Sequence, residues 1–171
     1  MDADLRSVMV GLAPLYIIAG VALALTVARR VDTRRTDSCD MLVDVLLIGI
    51  AVQCLHFTEE FITGFCERAP RFVGLAPWSS EFFVTFNLMW LAAWMVAAVG
   101  IRHHVRVALF PVWFFALAMI ANGLAHPLLS VATGGYFPGL YTSPMAGGMG
   151  IALASQLRKM THVTSLNTAT S

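Results

Sequence analysis

The side chains with chemistry to offer gather in one run, Gln53-Cys54-Leu55-His56-Phe57-Thr58-Glu59-Glu60-Phe61-Ile62-Thr63, which puts one imidazole and two carboxyls at the end of an otherwise apolar stretch. At about 100° per residue of helix, Gly49, Gln53, His56, Glu60, Thr63 and Glu67 fall on one stripe, with Glu59 on its flank. His56 and both glutamates can therefore address a common point. A second polar stripe, Asn122, His126 and Ser130, recurs at i, i+4 and i+8. Pro127 follows His126 and has no amide to offer the Gly123 carbonyl, so the helix is expected to bend or open beside the imidazole. Asn87, Glu81 and the loop Gly134-Gly135-Tyr136-Phe137-Pro138-Gly139 complete the unusual positions; the Pro-Gly pair suits a type II turn.

These residue types in this pattern fit a metal site. His56 with Glu59 or Glu60 at i, i+3 or i, i+4, joined by His126 from another helix, gives the two-histidine, one-carboxylate set of catalytic zinc or of a ferrous facial triad. The remaining glutamate would then be a general base on metal-bound water. A metal-free version keeps one proton between two adjacent carboxyls and moves it with histidine. The structural alternative is a buried hydrogen-bonded cluster in which Asn87, Asn122 and the histidines satisfy the glutamates and hold helices together. Haem is disfavoured, because two carboxylates would be unusual company for a bis-histidine iron.

The elements that must hold these residues are membrane spans. The chain has 171 residues, 58% hydrophobic and 12% charged, whereas a soluble domain is about half apolar and a quarter charged. A net charge of +1 offers no surplus for phosphates, so nucleic acid is excluded as a partner. Cys39, Cys54 and Cys66 form no CxxC pair and no disulfide framework. Stretches of about 20 apolar residues predict an all-α integral membrane bundle of about five transmembrane helices, at 8–28, 41–63, 82–101, 107–131 and 140–157. Residues 1–160 form a single transmembrane domain and 161–171 a polar tail. The acidic start, DADLRS, argues for a retained first helix rather than a signal peptide.

Positive charge orients the bundle. With five spans, one side holds Arg29, Arg30, Arg34, Arg35, Arg102, Arg106, Arg158 and Lys159, and the other only Arg6, Arg68 and Arg71. The first group belongs in the cytoplasm, so the N-terminus is out and the C-terminus in. At about 1.5 Å per residue, His56 lies roughly 22 Å and His126 roughly 28 Å from the cytoplasmic starts of their spans, and Asn87 about 7 to 8 Å from an outer end. All the unusual polar groups converge on the non-cytoplasmic half.

The same residues resemble a family of bacterial membrane proteins named for an HXXEE motif and described by a further histidine and a YXPG motif. Here these are His56-Phe57-Thr58-Glu59-Glu60, His126, and Tyr136-Phe137-Pro138-Gly139, in the family's order. His103 and His104 are rival matches for the further histidine, but they sit beside Arg102, away from the cluster. The resemblance implies a protein of unknown function in a bacterial cytoplasmic membrane, with an enzymatic role suspected.

The expectation is a membrane-embedded enzyme acting on a lipid or other lipophilic small molecule in the non-cytoplasmic half of the bilayer. His56, Glu59, Glu60 and His126 would be its catalytic or metal-binding groups, around one divalent zinc or iron in the metal version. Gln53, Asn87, Asn122 and Tyr136 are further pocket candidates. The alternative is a proton-coupled carrier or small channel using the same groups as a relay. Trp78, Trp90, Trp94 and Trp113 are expected at lipid or the interface, with Trp90 and Trp94 as a rival pocket wall. Gly147, Gly148, Gly150, Ala152 and Ala154 are expected to pack helices closely, and Asp44 to cap a helix at the interface.

Overall fold

The computed structural model describes residues 2–31 and 36–163. Its helices are α1 (Asp2–Gly11), α2 (Ala13–Ala28), α3 (Thr36–Ile62), α4 (Phe65–Phe72), α5 (Ser80–Arg102), α6 (Leu109–Thr133) and α7 (Ser143–Met160). Two three-residue strands, β1 (Arg29–Val31) and β2 (Thr161–Val163), pair antiparallel. The polar tail expected at 161–171 thus begins as a strand; residues 164–171, like Arg34 and Arg35, lie outside the described residues.

Among the described residues three stretches are long and apolar enough to cross a membrane: Cys39–Ile62, Ser80–Arg102 and Arg106–Thr133. They become four if the N-terminal pair, bent by 49° between Leu5–Gly11 and Ala13–Ala28, is one span. The break falls where Pro14 occupies the first turn of α2, a position that tolerates its missing amide. α7 fills the place of the expected fifth span, but it opens Ser-Pro and ends on Arg158 and Lys159, so its apolar run is short. α6 lies against α2, α5 and α7, and α3 against α5 and α7. α6 also runs through Pro127 without interruption to Thr133, so of the bend or opening expected there the helix does not open.

Element ends follow local chemistry. Ser79 caps α5 by accepting the Phe82 amide at 3.1 Å. Gly134, at φ 70°, ends α6 with its amide turned back to the last-turn carbonyls. α3 begins at Thr36, so Asp44 lies inside the helix, exposed, and is not a cap.

The core is one apolar cluster that includes Leu42, Leu46 and Ile50 of α3, Trp94 and Ile101 of α5, Phe115 and Met119 of α6, and Leu153 and Leu157 of α7. Outward, Val96, Leu128 and Val131 are left exposed, Val131 by 81%, as lipid-facing side chains would be. Trp94 and Trp113 are buried, which corrects the lipid-facing expectation for Trp113 and favours the rival reading of Trp94 as a pocket wall. Trp94 stacks on Phe115 at 4.0 Å and Trp90 on Phe114 at 4.1 Å.

The two ends of the bundle differ. At one, Arg29 donates to the Thr161 hydroxyl (2.7 Å), the Thr161 carbonyl (3.0 Å) and the Arg158 carbonyl (3.4 Å). Arg106 donates there to the carbonyls of Thr26 and Val27. Arginines from the three segments expected to share a side therefore meet. His56, Glu59, Glu60 and His126 stand at the opposite end.

α6 and α7 approach so closely at Gly123 and Gly147 that a Cβ on Gly123 would sit 2.6 Å from the Gly147 Cα, and one on Gly150 2.7 Å from the Ala116 carbonyl oxygen. Gly148, also expected at this contact, faces open space. Gly123→Leu should therefore destabilise the protein by about 1–3 kcal/mol or more, and Gly148→Leu by little. Equilibrium unfolding in mixed micelles measures both, and equal losses would show that α6 and α7 do not touch at this glycine pair.

Candidate functional site

His56 and Glu60 lie one helical turn apart on α3, and His126 reaches them from α6. Glu60 Oε1 is 3.6 Å from His56 Nε2 and 3.3 Å from His126 Nε2. The imidazoles meet edge to face, with centroids 4.8 Å apart and planes at 84°. All three residues are buried, His56 completely.

The other face of each ring settles where its hydrogen is. His126 Nδ1 stands 2.5 Å from the Pro138 carbonyl oxygen. A carbonyl only accepts, so Nδ1 carries the hydrogen. His56 Nδ1 is 2.7 Å from the Thr142 hydroxyl, whose single hydrogen goes to Glu59 Oε2 at 2.5 Å. His56 Nδ1 is thus the donor there too. Both Nε2 lone pairs then turn inward on a carboxylate oxygen, and His56 Nε2 has no hydrogen-bond partner among the described residues. Three acceptor atoms, all within 4.8 Å of one another, face each other with no donor between them.

Such an arrangement needs a cation or a proton at its centre. Ligand atoms about 2.0–2.1 Å from a tetrahedral zinc stand about 3.3 Å apart, close to the two separations at Glu60. Ring nitrogens held by a carbonyl and by a hydroxyl–carboxylate pair are the outer support that metal-ligating histidines have.

The loop between α6 and α7 supplies that support. Pro138 and Gly139 form a turn closed by the Leu140 amide on the Phe137 carbonyl at 3.1 Å, with Gly139 at φ 87°, which is type II. Its central peptide presents the Pro138 carbonyl to His126. A Cβ on Gly139 would meet the Cε1 atoms of both imidazoles, at 2.5 Å for His126 and 3.0 Å for His56. Phe137 is buried against Phe65, and its amide donates to the Ser130 hydroxyl at 3.0 Å.

Glu59 does not join the three. Its carboxylate accepts from the Tyr136 hydroxyl (2.7 Å), the Tyr141 amide (3.0 Å), and the Thr142 amide (2.8 Å) and hydroxyl, at the start of α7, where a negative charge is favoured. Burial pushes the Tyr136 phenol above its ordinary value, so it remains a donor. Neighbouring glutamates differ by about 100° around a helix, and the two carboxyls accordingly face different partners.

A cavity of about 250 Å³ opens on Glu60. Its walls are mainly apolar and aromatic, including Phe83, Phe86, Trp90, Trp94 and Phe115, with Gln53, Asn87 and Asn122 as polar positions. Asn87 donates to the Phe83 carbonyl at 2.9 Å. Glu60 is the one ionisable side chain among the described residues lining the cavity. Thr142, which sets the His56 hydrogen, was not singled out from sequence; its place one residue before α7, in the YTSP segment, was the available signal. His103 and His104 lie beyond the C-terminal end of α5, on the arginine side.

Fold and centre together define a helical bundle with three to four candidate membrane spans and a buried His–Glu–His group at one end. The chain belongs to the family described as proteins of unknown function with an HXXEE motif, whose model matches residues 47–151. No curated protein and no solved structure matches the chain.

Substitution at two glycines separates turn strain from imidazole packing. Gly134 has φ 70° and open space around it, so Gly134→Ala should cost about 1–2 kcal/mol. Gly139→Ala adds the collision with both rings and should cost at least twice as much in the same micellar unfolding experiment. Equal losses would mean that the rings do not press on this turn.

Proposed function

We propose that the protein is a membrane-embedded enzyme in which His56, Glu60 and His126 hold one divalent metal, zinc or iron, beside a cavity for a lipophilic substrate. The observation behind this reading is the convergence of two imidazole lone pairs and a carboxylate oxygen, with both other ring nitrogens fixed as donors. A metal in such a set supplies an open position that polarises a substrate oxygen or activates water. Glu59 and Thr142 orient His56, and Pro138 orients His126. The apolar walls exclude water and favour a substrate delivered from the lipid. Five spans with the N-terminus out and the C-terminus in, in a bacterial cytoplasmic membrane, put the centre in the outer half; the arginines gathered at the other end support that orientation.

A second reading rests on Glu60 being the ionisable group on the cavity wall. Without metal, one proton shared by Glu60 and the two Nε2 atoms makes Glu60 a general acid and base toward an apolar substrate. A carrier has less support: between the centre and the arginine end lie Leu46, Ile50, Phe115 and Met119, which give a proton relay no continuation.

Metal analysis of protein purified without a histidine tag decides between the first two. One divalent ion per chain is expected, lost in His56→Ala, His126→Ala and Glu60→Gln and retained in Glu59→Gln. A folded wild type that binds no zinc or iron when either is supplied would leave the proton-transfer reading.

A further inference from the structure

Gln53 stands on α3 one turn before His56 and lines the aromatic cavity, 6% exposed. Among the described residues its amide makes no hydrogen bond. An amide that held helices together would be bonded across to one of them. Asn122 of α6, on the same cavity, makes none among them either, and Asn87 of α5 gives an amide hydrogen to the Phe83 carbonyl at 2.9 Å, which leaves its side-chain oxygen without a donor there. Helix geometry puts the three at one level. Gln53 and Asn122 lie three and four residues before His56 and His126, about 5–6 Å toward the arginine end. On α5, Asn87 lies one turn in that same direction from Phe83, whose ring packs on Phe57 and Phe61 of α3. Three helices therefore each bring a carboxamide to the same stretch of wall, between the Glu60 carboxylate and the deeper aromatic part at Trp94 and Phe115.

We infer that these carboxamides are the specificity subsite of the cavity, holding the hydroxyl or carbonyl oxygen of an uncharged lipophilic molecule about one helical turn from the group that reaches the His–Glu–His centre, with the rest of its skeleton against Trp90, Trp94 and Phe115. The inference rests on the reading of this cavity as the substrate site and adds what the substrate must carry. A carboxamide both donates and accepts, so it matches a hydroxyl or a carbonyl without any charge. A carboxylate or phosphate stripped of water at this depth, with amides for company and Glu60 on the same wall, would cost far more than those bonds return. A purely hydrocarbon ligand would leave Gln53 buried and unpaired, which is how a site built for a polar group rejects an analogue lacking it.

Tryptophan quenching by brominated probes is the test, because Trp78, Trp90 and Trp94 line the cavity and a bromine atom quenches an indole on contact. The full chain in neutral detergent is titrated with a bromo-terminated decanol, with bromodecane and with the corresponding bromo-carboxylate, affinities being expressed per mole fraction of probe in the micelle. The alcohol should quench saturably and bind about tenfold more tightly than the alkane, and the carboxylate more weakly than the alcohol. In Gln53→Leu alcohol and alkane should bind alike, while the thermal midpoint holds or rises, since no bond within the described protein is lost. Equal binding of alcohol and alkane by the wild type, a carboxylate as tight as the alcohol, a preference that survives Gln53→Leu, or a Gln53→Leu chain that no longer folds would each overturn the inference. Metal content of the same samples separates this from the metal reading. A wild type without zinc or iron that still prefers the alcohol keeps the subsite and loses the metal; a metal-loaded wild type without that preference loses the subsite alone.

Discussion

Two imidazoles meeting over a glycine are the constraint on which the rest of this end of the molecule depends. His56 and His126 come from helices α3 and α6, their rings 4.8 Å apart, and both rest on Gly139, where no side chain would fit. With their Nδ1 atoms committed to Thr142 and Pro138, the Nε2 atoms have nowhere to point but Glu60. The acceptor-rich centre is thus a consequence of what surrounds it. Leaving His56 Nε2 without a partner in a buried site would be costly, so the arrangement makes physical sense around a cation or a shared proton.

The α6–α7 loop ties helix packing to this chemistry. Gly123 and Gly147 let α6 and α7 approach to backbone contact, which brings the start of α7 against the end of α3. There Glu59 accepts the Tyr141 and Thr142 amides and the Tyr136 hydroxyl. The carboxylate anchors the loop, and the loop orients the rings. Each of Tyr136, Pro138 and Gly139 acts differently, by a hydroxyl, a carbonyl and the lack of a Cβ. The second carboxyl of the motif is left to face the cavity, whose apolar walls keep water away from it.

Much of this was legible in the sequence, because periodicity reports directly on which side chains share a face. The i, i+4 spacing placed His56 and Glu60 together, the depth count brought His126 and Tyr136 to the same end, and Pro-Gly announced the turn. Periodicity could not separate the roles of Glu59 and Glu60, since adjacent residues both border the stripe and only the position of α7 decides which meets its amides. Thr142 had only its place just before α7 to mark it, because its hydroxyl matters through a contact with residues more than eighty positions away. The break between α1 and α2 and the short helix α4 were also missed. Pro14 suits the first turn of a new helix as well as an interfacial start, and Phe65–Phe72 is too short and too mixed in polarity to stand out. Trp113 was misplaced because composition does not distinguish a tryptophan at the lipid surface from one stacked inside the bundle, whereas Trp90 and Trp94 line the cavity, as their i, i+4 spacing had allowed.

The central claim, that the loop fixes both rings with hydrogen on Nδ1 and a bare Nε2 toward Glu60, is tested most directly by nitrogen-15 NMR of the histidine side chains in the folded, detergent-solubilised protein. The account predicts that His56 and His126 each show a protonated Nδ1 and an Nε2 that ligates or accepts, assigned by loss of their signals in His56→Ala and His126→Ala. A hydrogen on Nε2 with a bare Nδ1, in either ring, would contradict it.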